Sequence, residues 1–135
     1  MPLLVDIYSF GFQASGIPKD PSENKGGHVF DCRCLPNPGR LDEYKRLTGL
    51  DASVKEWLAN YEEVLQLAKT CTLLVEQSIQ AYLKRDFDRL MVAFGCTGGQ
   101  HRSVYLSEWL KSYLAPRSDI RVQVTHTEKK NWASQ

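Results

Sequence analysis

The strongest constraint on this 135-residue chain is the way two hydrophobic periodicities alternate along it. Residues 3–10, LLVDIYSF, and 89–95, RLMVAFG, are short apolar runs of the kind that form buried strands. Between them, Val54, Trp57, Leu58, Tyr61, Val64, Leu65 and Ala68 recur at the i, i+3, i+4, i+7 spacing of a core-facing helical stripe. Leu74, Val75, Ile79, Tyr82 and Leu83 continue the stripe, predicting one long helix or two with a break near Thr70–Thr72. Asp51 or Ser53 can cap its start after the turn Thr48-Gly49-Leu50. A further helix carries Leu106, Trp109, Leu110, Tyr113 and Leu114 and ends at Pro116. Ile120, Val122 and Val124 then alternate with Arg121, Gln123 and Thr125, as in a strand with one solvated face. Strands joined through helices run parallel. The predicted fold is a single α/β domain over residues 1–135, a mostly parallel sheet of about four strands flanked by helices.

Residues 28–35, HVFDCRCL, alternate enough to predict another strand, with Val29, Asp31, Arg33 and Leu35 on one face and Phe30, Cys32 and Cys34 on the other. Pro36-Asn37-Pro38-Gly39-Arg40 stops it. The stretch from Gly11 to Gly27 is long for a loop in a compact domain, and such loops are lids, binding segments or disordered excursions.

Charge and composition exclude several classes. Seventeen Lys and Arg against sixteen Asp and Glu leave a net charge of +1, so bulk electrostatic coating of nucleic acid is not expected, although a local basic patch is compatible with it. Within residues 51–80 five acids outnumber two bases, and that face repels a polyanion. No run of 18 apolar residues is present to span a membrane. The start, MPLLVDIYSF, has no basic n-region and meets Asp6, unlike a secretory signal. A cytoplasmic location follows as the expectation, and in that reducing setting Cys32, Cys34, Cys71 and Cys96 are expected to be buried free thiols. Cys32 and Cys34 with His28 offer three metal ligands at most, where a structural zinc takes four. No metal and no cofactor are predicted.

The chemistry concentrates in Gly95-Cys96-Thr97-Gly98-Gly99-Gln100-His101-Arg102-Ser103, between a predicted strand and a predicted helix. A helix start leaves backbone N–H groups unpaired and partly positive, which suits an anion. Gly98 and Gly99 let the backbone approach a ligand. Thr97 and Ser103 offer hydroxyls, Arg102 a planar fork for phosphate, and His101 a donor whose charge depends on pH. Ligands of open α/β sheets gather at this end of the strands. The pattern G-x4-G-K-[ST] occurs nowhere in the chain, so a common nucleotide-hydrolysing P-loop is excluded. Cys96 and Arg102 also have the C-x5-R spacing of cysteine-dependent phosphatases, with Asp31 as the candidate general acid. Catalysis through Cys96, Arg102 and Asp31 is the alternative reading.

The stretch Gly95–Val104 resembles the G-C-T-G-G-x-H-R-S-V motif of the C-terminal domain of the RNase adapter protein family (RapZ, also called YvcJ). Three further blocks agree in order: Ser9-Phe10-Gly11-Phe12, the segment from Phe30 to Pro38, and Leu47-Thr48-Gly49-Leu50-Asp51. The resemblance implies a domain that stands here without the N-terminal Walker-type nucleotide-binding domain of full-length members. In such members this domain senses glucosamine-6-phosphate and presents small regulatory RNA to an endonuclease. It implies ligand contacts at Asn37, Thr97, Gly98, Gly99, Gln100, His101 and Arg102, to which the loop chemistry adds Ser103. RNA would be met by Arg102, Arg121, Lys129 and Lys130. Gly39 stands where some relatives have His, Gln100 where RNA-binding relatives have Lys, and the basic tail is reduced to Lys129-Lys130. Fewer cations on the phosphate backbone weaken RNA binding and flatten its salt dependence. The reading expected is a non-catalytic sensor for a phosphorylated small molecule, plausible as an amino-sugar phosphate, with regulatory RNA as a second partner. A homo-oligomer or a separate protein partner is compatible with it; a membrane partner is not expected.

Overall fold

The two apolar runs lie side by side at the centre of the sheet because only that position buries both their faces. A computed structural model describes residues 2–133. Leu3–Gly11 form β1, Gly27–Asp31 β2, Arg89–Cys96 β3 and Ile120–His126 β4; the helices are α1 (Ala52–Ala59), α2 (Glu62–Lys84) and α3 (Arg102–Leu114). The strands pair in the order β2-β3-β1-β4, and every neighbouring pair is parallel. The register aligns Val5 with Leu90 and Val122, and Ile7 with Val92 and Val124. These residues form one face of the sheet, and with Leu3 and Phe94 they pack on Val54, Leu58, Val75, Ile79, Leu106 and Leu110 from the helices. The opposite face holds a smaller cluster of Phe10, Met91 and Ala93 with Tyr8 and Phe12.

That division explains the long Gly11–Gly27 segment. The chain moves from β2 to β3 through α1 and α2, and from β3 past β1 to β4 through α3, in one direction across the sheet on the helical face. From β1 to β2 it moves the other way, and it does so on the opposite face. Reversing both direction and face gives all three crossovers the same hand, as parallel connections demand. The segment is therefore a crossover without a helix. It is tied down at its far end, where the Asn24 amide donates to the Arg89 carbonyl at 2.9 Å and the Asp20 carboxylate accepts from Ser22 and Gly26. Arg89 in turn pairs with the fully buried Asp6, which also accepts from the Tyr8 hydroxyl.

Three local expectations change. β2 ends at Asp31 instead of reaching Leu35. The Asp31 carboxylate accepts from the Arg33 backbone N–H at 2.9 Å, a local bond that competes with the sheet ladder and turns the chain. Leu35 swings into the core and Cys34 outward, so Cys34 is exposed while Cys32, Cys71 and Cys96 are buried. The helical break falls at Asn60–Tyr61 and not at Thr70–Thr72, because the Thr70 and Thr72 hydroxyls donate to the carbonyls of Gln66 and Ala68 one turn back and stay within α2. Asp51 does occupy the cap position of α1, but its carboxylate accepts from the Thr48 N–H at 2.7 Å and makes no bond to the helix. Among the described residues, no helix is long and apolar enough to cross a membrane.

Burial fixes which side chains hold this layer together. Leu110→Ala is expected to lower unfolding free energy by about 2–5 kcal/mol, whereas Leu73→Ala, at a position 72% exposed on α2, should shift it by no more than about 0.5 kcal/mol. Urea denaturation of both variants measures the contrast.

Candidate functional site

At the C-terminal edge of the sheet, a cavity of about 350 Å³ opens between three segments of chain. The β3–α3 loop contributes Cys96, Thr97, Gly98, Gln100, His101 and Arg102; the stretch after β2 contributes Asn37, Gly39 and Lys45; Ala133 closes it from beyond β4. Larger hollows of about 730 and 630 Å³ lie beneath the β1–β2 crossover, away from this loop.

Arg102 is the first residue of α3 and only 5% exposed. Its Nη1 donates to the carbonyls of Arg33 and Leu35, both at 3.0 Å, and its Nη2 reaches Thr97 Oγ1 at 3.5 Å. The buried Nε has no partner. Among the described residues no carboxylate pairs with this guanidinium. Removing a full charge from water is costly unless an opposite charge joins it. Beside it, the N–H groups of Gly98 and Gln100 donate to no acceptor among the described residues, α3 begins here without a side-chain cap, and Gly99, predicted as a ligand contact, is buried outside the cavity lining. The cavity thus has a positive floor and free donors, the arrangement that holds an anion.

The loop owes its shape to contacts from elsewhere. Gly99 has φ +77°, a left-handed backbone, and a Cβ there would sit 2.5 Å from Glu128 Cγ and 2.8 Å from Gly11 N. Trp132 Nε1 donates to the Gly99 carbonyl at 2.9 Å. Glu128 is fully buried and accepts from Gly11 N, Ser15 N, Ser15 Oγ and Asn131 Nδ2. Burial alone would push its carboxyl up, but these donors outweigh burial and hold it below the ordinary glutamate range. Gln100 is another tie: Nε2 donates to Leu47 O at 2.8 Å and Lys45 O at 3.2 Å, and Oε1 accepts from Ala133 N.

The other sequence-predicted residues divide in two. Asn37 lines the cavity, its Oδ1 accepting from Gly39 N at 3.0 Å to cap the short turn Pro38–Arg40. His101 is buried and bonded through Nε2 to Tyr44 O at 3.0 Å; burial pulls its pKa down, with the neighbouring Arg102 adding to it and the Tyr44 and Leu47 carbonyls opposing. Ser103 is fully buried, its Oγ 3.2 Å from the buried Cys96 thiol and outside the cavity lining. Asp31 is exposed and paired with Arg33 at 2.7 Å, and Arg33 lies over the Phe12 ring. Arg121 sits at the opposite end of the sheet, beside Leu4. Lys129 and Lys130 are exposed in the turn Lys129–Asn131. Lys45, Glu128 and Trp132 are the residues that sequence reasoning misses, since each lies in a polar stretch without periodicity or motif. Among the described residues no cluster of His, Cys, Asp and Glu is placed to hold a metal.

The family model described as the RapZ C-terminal domain matches residues 3–130, the loop and the cavity residues up to Arg102 included. The chain belongs to that family. It is 44% identical over 124 residues to a nucleotide-binding protein of Azoarcus sp. (strain BH72), covering 92% of this chain and 40% of that protein. It is 38% identical over 130 residues to a nucleotide-binding protein of Vibrio vulnificus (strain YJ016), covering 96% of this chain and 43% of that one. A nucleotide-binding protein of Bacillus thuringiensis (strain Al Hakam) is 38% identical over 126 residues, 93% of this chain and 41% of its own length. The chain thus spans about two fifths of the length of these curated relatives.

Two supports of the family loop can be tested by stability. Gly99→Ala is expected to cost at least about 1–2 kcal/mol, the penalty of a left-handed backbone for an L-residue, with the Glu128 contact adding to it. Because the Glu128 pKa is depressed, its contribution is present above the unfolded value and lost as pH falls through the folded one. Glu128→Gln should therefore flatten the decline of stability below about pH 4.3, as read from denaturation midpoints across the acid range.

Proposed function

We propose that this domain is a non-catalytic sensor for a phosphorylated metabolite, of which an amino-sugar phosphate such as glucosamine-6-phosphate is the leading candidate. The observation that carries the reading is the buried guanidinium of Arg102, which has no carboxylate within ion-pair distance among the described residues, the paired Asp31 acting on it only from further off. A phosphate in the cavity would supply the counter-charge, receiving the Nη2–H of Arg102 and the N–H groups of Gly98 and Gln100. Thr97 would add its hydroxyl, and Asn37 and His101 would orient the sugar. Lys45, at the mouth, would meet the second phosphate charge. Three or four charge-assisted hydrogen bonds of roughly 1.5–3 kcal/mol each support micromolar binding after the costs of association.

Cys96 and Arg102 both line the cavity, as the phosphatase alternative requires, but the other groups it needs are placed otherwise. The Cys96 thiol is buried and directed at Ser103, and the Asp31 carboxylate is engaged by Arg33 outside the cavity lining. The relatives are named for nucleotide binding, but they are matched over only about two fifths of their lengths, and this chain holds no Walker-type motif.

Calorimetric titration with glucosamine-6-phosphate, against inorganic phosphate, tests the proposal. Arg102→Ala should weaken sugar-phosphate binding roughly 10- to 150-fold, the loss of one charged hydrogen-bonding group. Since Arg102 also braces the 33–35 backbone, Lys45→Ala provides a second variant at an exposed site, expected to lower affinity and flatten its salt dependence while leaving the melting temperature unchanged. Unchanged affinity in both variants sinks the assignment. Tight RNA binding that falls steeply with salt, without sugar-phosphate binding, would move the function to nucleic acid.

A further inference from the structure

The turn that Arg102 braces also carries Cys34, exposed where the other three cysteines are buried. Leu35 N donates to Cys32 O at 3.2 Å, so residues 32–35 make a tight turn with Cys34 at its tip. The carbonyls on either side of Cys34, of Arg33 and Leu35, are the two that accept from Arg102 Nη1. Cys34 and Leu35 face α2 across a hollow of about 420 Å³, whose far wall is Glu63, Gln66, Leu67 and Thr70. Those four stand at i, i+3, i+4 and i+7, one face of the helix. Cys71 follows Thr70 and lies one turn beyond Leu67, on the core side of that wall. Its thiol is near enough to Cys34 to feel a charge there: burial first, and Cys34 after it, push the Cys71 thiol up to about 11. Cys32 and Cys96 are buried and outside the lining of the hollow.

We propose that Cys34 and Cys71 are a peroxide-sensitive thiol pair: oxidation joins them in a disulfide that draws the 33–35 turn onto α2 and off Arg102, and so lowers the anion affinity of the cavity. The last clause rests on the phosphate reading above; the thiol pair itself does not. The Cys34 thiolate attacks one oxygen of hydrogen peroxide, the O–O bond breaks, the other oxygen leaves as water, and Cys34 becomes a sulfenic acid. The Cys71 sulfur then attacks the Cys34 sulfur, the S–O bond breaks, and the hydroxide leaves with the Cys71 proton as a second water. Two thiols are thereby oxidised to one disulfide while one peroxide is reduced to two waters. Cys34 reacts first because it is in solvent, whereas burial keeps Cys71 protonated at neutral pH. A disulfide holds its two Cβ atoms about 3.5–4.5 Å apart. Closing it across the hollow carries the Arg33 and Leu35 carbonyls toward α2, and Arg102 loses the two bonds that fix its fork.

The probe is hydrogen peroxide in equimolar amount on the reduced protein. Trypsin separates the four cysteines, with Cys32 in residues 26–33, Cys34 in 34–40, Cys71 in 70–84 and Cys96 in 90–102. Mass spectrometry of the digest is expected to show 34–40 joined to 70–84, and dithiothreitol to part them. Cys71→Ser should leave a sulfenic acid on Cys34, trapped by dimedone. Cys34→Ser, at an exposed position outside the cavity lining, should form no disulfide and keep the same ligand affinity before and after peroxide. By calorimetry, the disulfide form of the wild-type protein should bind glucosamine-6-phosphate at least roughly 2-fold more weakly than the reduced form, the worth of one lost hydrogen bond. Cys34 bonded to the Cys34 of a second chain, or carried to the sulfinic acid with Cys71 still a free thiol, would overturn the thiol pair. Equal affinity in the two forms would overturn its link to Arg102. If neither form binds glucosamine-6-phosphate or inorganic phosphate, the phosphate reading falls and that link with it, while the peptide map still decides the thiol pair.

Discussion

The guanidinium of Arg102 joins three parts of the chain. One of its nitrogens holds the carbonyls on either side of Cys34, another leans on Thr97, and its backbone opens α3. The turn after β2 is thereby fixed against the β3–α3 loop, and the cavity between them has its floor. Backbone carbonyls orient an arginine well but neutralise it only in part, because each carries a dipole and not a charge. The folded domain therefore keeps a cation in a place where water is largely excluded. That residual charge is what gives the cavity its chemical character.

The rest of the site follows from keeping this cation in reach of solvent on one side only. Glu128, itself buried, binds the N–H groups of Gly11 and Ser15 and lies against Gly99, so that the chain beyond β4 sets the curvature of the loop. Trp132 and Gln100 add bonds from the same segment and from residues 45–47. The backbone N–H groups of Gly98 and Gln100 donate to no acceptor among the described residues, while the Gln100 and Trp132 side chains are committed to carbonyls.

The parallel order of strands was legible because strand and helix periods alternate so plainly, and a chain that alternates them has few ways to bury both. The Gly-rich loop was legible too, since two glycines, hydroxyls, His and Arg between a strand and a helix have few other uses. The failures have local causes. A two-period pattern in residues 28–35 says nothing about Asp31 capturing the Arg33 N–H, and that bond ended β2 early and turned Cys34 outward. Two threonines close together suggested a break in α2, but each found its own carbonyl one turn back. Ser103, grouped with the loop by its position, is directed to the Cys96 side because it lies inside the first turn of α3.

By itself, then, the sequence determined the class of fold, the family and the position of the Gly-rich loop, all of which are encoded in residues close together in the chain. Only the tertiary structure decided that Gln100 braces the loop, that Lys45 stands at its mouth and that Glu128 shapes it from 29 residues beyond. The same holds for the hydrogen on His101, which depends on the Tyr44 carbonyl some 57 residues away. A side chain's donors and acceptors are known from its type. Which of them remain free for a ligand depends on what the folded chain has already placed against the others.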